Sequence, residues 1–111
     1  MHKYYLKNTA FNLIKEGKKT IEGRLNKNSF QKIMVNDIIN FKNNNDNVYV
    51  QVIDVKKYSS FLDMLNKEDI KEVTPLSNSI EESLDIYRNC YSKTAEKKYG
   101  VLAIKLSVIS H

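Results

Sequence analysis

Two distant segments of the chain alternate apolar and contrasting residues with a period of two. Val48, Val50 and Val52 are separated by Tyr49 and Gln51, and Leu102, Ile104, Leu106 and Val108 by Ala103, Lys105 and Ser107. Successive strand side chains point to opposite faces, so each segment has one face made for a core. A helix would scatter either set around its axis. The pattern predicts strands over residues 1–7, 18–25, 37–42, 48–56 and 101–109. The run Asn43-Asn44-Asn45-Asp46-Asn47 lies between two of them and reads as a hairpin loop, because Asn and Asp tolerate left-handed backbone.

Helical signals fill the gaps. Asn8 or Thr9 is placed to cap a helix through Glu16, with Phe11, Leu13 and Ile14 inward and Gly17 closing it. Phe30 and Ile33 anchor an irregular stretch. Ser60 caps a short helix holding Phe61, Leu62 and Leu65, and Pro75 breaks the connection that follows. Ser79-Ile80-Glu81-Glu82 forms a capping box, after which Ile80, Leu84, Tyr87 and Tyr91 share one face. Residues 91–98 continue as a helical tail, with Glu81, Glu82 and Asp85 on the solvated side. About five strands and three to four helices, with strands at both ends, predict an α+β fold around a closed mixed sheet.

At 111 residues, one domain spanning 1–111 is expected. The apolar runs fall far short of the roughly 18 residues that span a bilayer, and none follows Met1. No membrane partner is therefore expected, and a cytoplasmic location is. A single cysteine, Cys90, excludes a disulfide framework and a cysteine-rich zinc site, and it is expected to be a buried small hydrophobe. His2 and His111 lie at opposite ends, so neither a metal nor another cofactor is expected.

The net charge of +5 comes from 18 basic residues, of which 16 are Lys. Lys, Asn and Ile together make up 40 residues, a bias that AT-rich coding produces without selection for binding. Placement is more informative than the total. Residues 1–60 carry 11 basic and 5 acidic side chains, whereas residues 61–111 carry 7 and 8. The excess predicts one basic face, as a nucleic-acid binder has.

Within that half, Gly17-Lys18-Lys19-Thr20-Ile21-Glu22-Gly23-Arg24-Leu25 is the densest candidate. On a strand, Thr20, Glu22 and Arg24 share one face and Ile21 and Leu25 the other. Hydroxyl, carboxylate and guanidinium then stand in a row suited to a nucleotide. Arg24 is the most telling, because its planar fork binds phosphate or stacks on a base as lysine does not. The competing reading is an ordinary Glu22–Arg24 ion pair on an exposed strand.

These residues resemble the G-x-K-T-x-E-x-R signature of ASCH domains, which belong to the PUA-like superfamily. Val35-Asn36-Asp37-Ile38-Ile39-Asn40-Phe41 resembles the family's G-D-x-I-x-F strand, with Asn36 where glycine is usual. Val55-Lys56-Lys57-Tyr58-Ser59-Ser60-Phe61, Tyr91-Ser92 and Tyr99-Gly100-Val101-Leu102-Ala103-Ile104 resemble later family segments, in order. The resemblance implies a PUA-like mixed β-barrel of five to six strands, with helices around a cleft. It also implies binding of RNA or a modified nucleoside. One bacterial branch of the family is an amidohydrolase that deacetylates acetylcytidine with a lysine, a threonine and a glutamate, and another is reported to have ribonuclease activity. The amidohydrolase's lysine falls on Lys19 and its threonine on Glu22, which cannot be that nucleophile. Its glutamate matches none of these motifs. Thr20 is two residues away, and strict alternation sets Lys19 opposite it unless a bulge follows Gly17.

The expected ligand-binding set is Lys19, Glu22, Arg24, Tyr58, Ser60 and Tyr91. For an enzyme, the catalytic set is Lys19, Thr20 and Glu22. Tyr58 beside Lys56-Lys57, and Tyr91 near Arg88 and Lys93, could stack on bases. Ser60 could meet phosphate or simply cap its helix, and Tyr87 reads as core. A module that places a protein ligand in the same cleft is the third function class.

Overall fold

The computed structural model describes residues 1–110. His111 lies outside them. Five strands form one sheet: β1 (His2–Tyr5), β2 (Ile21–Leu25), β3 (Ile38–Asn43), β4 (Asp46–Tyr58) and β5 (Val101–Ser110). Their order is β1-β3-β4-β5-β2, with β1 parallel to β3 and every other pair antiparallel. The sheet curls into a half-barrel in an α+β fold, with β1 and β2 at its edges. The barrel is therefore open between those two strands, where complete closure was expected.

The helices are α1 (Asn8–Lys15), α2 (Phe61–Lys67), α3 (Ile70–Val73), α4 (Ile80–Cys90) and α5 (Lys93–Tyr99). α3 is a single turn whose sequence has no apolar period to announce it. Ser92 splits the expected tail from α4 by capping α5, its hydroxyl accepting from the Ala95 N–H. A 3-10 turn over Asn28–Lys32 carries Phe30, and Ile33 beyond it is buried.

β5 places the cores. Leu102, Ile104 and Leu106 pack under α1 with Phe11, Ile14, Ile39, Phe41, Val48, Val50 and Val52. Val101 and Ala103, one step out of phase, join Ile21, Leu25, Phe61, Met64, Val73 and Tyr87 under the other helices. One alternating strand thus serves two apolar clusters. The hairpin turns at Asn44, whose φ is 53°. Asn36 has φ 77°, a value in the left-handed region that favours glycine and that Asn tolerates best among the others.

Several boundaries shift from expectation, with β4 running over 46–58 and the hairpin turn confined to Asn44 and Asn45, and two of the shifts bear on the site. α1 is preceded by Lys7, which provides no side-chain cap, so neither Asn8 nor Thr9 caps it. Residues 18–20 do not pair as strand, and β2 begins at Ile21. After Gly17 (φ 77°), the N–H groups of Lys18 and Lys19 both donate to the Leu13 carbonyl, at 2.9 and 3.0 Å. The end of α1 thereby holds residues that the alternation assigned to β2.

Glu96 on α5 ties three helices together. Its Oε2 accepts from the Phe61 N–H at the start of α2 and from Arg88 Nη1 on α4, each at 2.9 Å. Removing a buried carboxylate that is paired in this way leaves a donor and a cation without a partner. Glu96→Ala is expected to lower the unfolding free energy by about 3 kcal/mol, measured by urea titration. A loss under about 0.5 kcal/mol, the scale of an ordinary surface substitution, would contradict this role.

Candidate functional site

A cleft of about 530 Å³ runs along the free edge of β2, between α1 and α4. Its walls are mainly apolar, built from Leu6, Ala10, Leu13, Val73, Pro75 and Tyr87. Tyr5, Leu76 and Ile86 form an exposed apolar rim, with Leu76 at 71% exposure. The charged lining residues are Lys7, Lys19, Glu22 and Arg24.

Lys19, Glu22 and Arg24 converge. Lys19 and Glu22 are each only 7% exposed. Lys19 Nζ donates to the Ile21 carbonyl at 2.9 Å and to the Val73 carbonyl, and it lies 3.5 Å from Glu22 Oε1. Arg24 Nε and Nη2 both reach the other oxygen of Glu22, Oε2, at 3.0 and 2.9 Å. The guanidinium also lies over the Phe30 ring, 4.8 Å from its centroid. Glu22 is therefore braced from both sides, with Oε1 the less occupied oxygen. The Glu22–Arg24 pair does form, but in a buried cleft rather than on an exposed strand. Lys19 joins it without a bulge, because it precedes the strand and escapes its alternation.

Burial pushes the Lys19 pKa below its ordinary 10.5, with Glu22 opposing. Burial also opposes the charge on Arg24, but Glu22 and Tyr91 outweigh it and raise the pKa above the ordinary guanidinium value.

The other expected residues separate. Tyr91 lines the cleft beside Arg24 and stacks on Phe61 at 5.2 Å. Thr20 turns away from the cleft. Its N–H donates to the Glu72 carbonyl at 3.0 Å and its hydroxyl to Glu72 Oε1 at 2.8 Å. Tyr58 is not among the cleft-lining residues, and its hydroxyl is engaged by Glu68. Ser60 is the N-cap of α2, accepting from the Asp63 N–H at 2.9 Å. His2 bonds Asp37 at 2.9 Å, and no group of three or more His, Cys, Asp or Glu among the described residues could hold a metal ion. No helix among them is long and apolar enough to cross a membrane.

The sequence reading missed several lining groups. Cys90 is exposed and lines the cleft, where a buried thiol was expected. It sits just before Tyr91 on α4, at the edge of the apolar face rather than within it. Thr74 also lines the cleft, with its hydroxyl given to Ser83 Oγ at 2.7 Å. Tyr87 is core, as expected, and lines the cleft as well.

Comparison with known proteins places this geometry in a family. The sequence matches the ASCH domain family over residues 5–110. The fold is similar to the crystal structure of the hypothetical protein PH0355, at TM-score 0.89 and 43% identity, covering 96% of this chain and 97% of that one. It is also similar to the solution structure of protein PF0455 from Pyrococcus furiosus, at TM-score 0.83 and 37% identity, covering 99% and 98%. An ASCH domain from Lactobacillus crispatus shares the fold at TM-score 0.63 and 16% identity, covering 99% of this chain and 80% of that one. No curated protein matches the chain.

The lowered Lys19 pKa has a stability consequence. Between the folded pKa and 10.5, the unfolded chain binds more protons, so raising the pH through that window stabilises the fold. Tyr58 acts in the opposite sense. Burial and its bond to Glu68 raise its pKa to about 12, so its contribution falls as pH rises above 10.0. Urea titrations are expected to show wild-type stability rising as pH approaches 10.0, with Lys19→Met lacking that rise. Parallel profiles for the two proteins would refute the assignment.

Proposed function

The chain belongs to the ASCH domain family, and from that premise we propose that it is a single intracellular RNA-binding module that holds one nucleotide in the β2-edge cleft. At the family level, RNA association is the common expectation. The observation that carries the finer reading is the convergence of Lys19, Glu22 and Arg24 on an otherwise apolar cleft. A volume of about 530 Å³ falls in the range of small-ligand sites and suits one nucleoside. In this reading Glu22 Oε1 accepts from a base N–H, and Arg24 uses its remaining donors on phosphate or a base oxygen. Tyr91 packs against the base, and Lys19 holds Glu22 in place. The ligand is a free modified nucleoside or an unpaired nucleotide of an RNA strand.

The lining carries three basic residues and one acidic residue within apolar walls. Such a site engages a phosphate or two rather than a long backbone track. Fluorescence titration with a short single-stranded RNA is expected to give a shallow salt dependence, with a log–log slope of about −1. Arg24→Ala is expected to weaken binding at least about ten-fold, as loss of a charge-assisted contact does. Equally undetectable binding by both proteins would overturn the reading.

A second reading is hydrolysis of an acylated pyrimidine nucleoside or of RNA, and Lys19 is what favours it. Its burial lowers its pKa, which shifts the amine toward the form that can accept a proton. The placement of Thr20 against Glu72 weighs against it, since Thr20 is then no cleft nucleophile. If the reading holds, acetate is released from acetylcytidine, or RNA is cleaved, by the wild type and not by Lys19→Ala. No turnover above that variant rejects it.

A further inference from the structure

Tyr87 carries a feature that core packing does not use. The residue is only 6% exposed, and its ring stacks on Phe61 with centroids 4.4 Å apart. Yet its hydroxyl makes no hydrogen bond to any described residue, although it belongs to the cleft lining. The hydroxyl oxygen itself is open to the cleft, so its proton is available to whatever enters. The hydroxyl is also held close to β2: a Cβ on Gly23 would stand 2.9 Å from Tyr87 Oη. Gly23 follows Glu22 directly, and strand alternation turns the two to opposite faces. The carboxylate of Glu22 and the hydroxyl of Tyr87 thus flank the free edge of one short strand.

We infer that Tyr87 reads the ligand, donating a hydrogen bond from its hydroxyl to an acceptor on the edge of a nucleobase while Glu22 accepts from an adjacent N–H. The inference rests on the nucleotide reading of the cleft and adds the residue that recognises the base. Glu22 Oε2 already receives two donors from Arg24, which leaves Oε1 as the acceptor offered to a ligand. One acceptor and one donor flanking the same strand edge complement an N–H and a ring nitrogen or carbonyl oxygen, the pattern on the pairing edge of every base. Burial, then Glu22 and Tyr91, push the Tyr87 pKa up, so the hydroxyl keeps the proton it donates. The absent side chain at Gly23 leaves the room against β2 that the hydroxyl occupies.

Tyr87→Phe removes one oxygen and keeps the ring on Phe61, so the fold survives the test. Calorimetric titration would use the four nucleoside 5′-monophosphates, with ribose 5-phosphate as the base-free probe. The expected result is a loss of about ten-fold in affinity for the preferred nucleotide, with ribose 5-phosphate affinity unchanged. Equal nucleotide affinity in wild type and variant would overturn the role of Tyr87 and leave the nucleotide reading standing. An equal loss for both probes would mark the change as structural and also overturn it. If the wild type binds none of the four nucleotides, no short single-stranded RNA and no acetylcytidine, the nucleotide reading itself fails, and this inference falls with it.

Discussion

The arrangement of the site depends on one buried ammonium. Lys19 lies just after α1, and its Nζ donates to a carbonyl of β2 and to one at the end of α3 while facing Glu22. A charge taken out of water is tolerable only when its donors are satisfied, and three oxygens from two elements do that here. The same contacts set the relative positions of those elements. Glu22 is braced by Lys19 on one oxygen and by Arg24 on the other, so the guanidinium inherits its placement from the amine. The order of dependence runs from Lys19 to Glu22 to Arg24, whereas charge counting alone singled out only the last.

The sheet was legible because its signals are local and periodic. Alternation in residues 48–52 and 102–108 assigned their core faces, and the Asn run marked the hairpin. Asn36 shows the same legibility at one residue: where the family resemblance has glycine, the chain needs a positive φ, and Asn supplies it. Legibility failed where a long-range partner overrides a local rule. Thr20 follows Glu72, 52 residues away, instead of the face it shares with Glu22 by alternation. Lys19 follows the carbonyl of Leu13 at the end of α1, and Tyr58 follows Glu68. Ser60 had two local readings, and capping satisfied the helix start that any ligand role would have left open.

The charge of the molecule separates into two populations. Most lysines are exposed, including Lys56, Lys57 and Lys67, and those that pair do so at the surface, where an ion pair contributes little. They account for the net +5 without describing a site. The cleft instead gathers a few charges among apolar side chains, where each interaction is less screened than in water. Selectivity for a ligand in such a place comes from matching donors and acceptors, because an unmatched polar group stays desolvated.

The exposed edge of β2 explains why so many functional groups meet there. An interior strand gives its two faces to packing and both edges to its neighbours. β2 pairs only with β5, so its other edge is left to the cleft. Along that edge, Glu22 and Arg24 come from one face and Gly23, with Tyr87 behind it, from the other. A fully closed barrel would have paired the edge and removed the cleft. The opening between β1 and β2 is thus the structural condition for the site, and α1 and α4 border it without covering it.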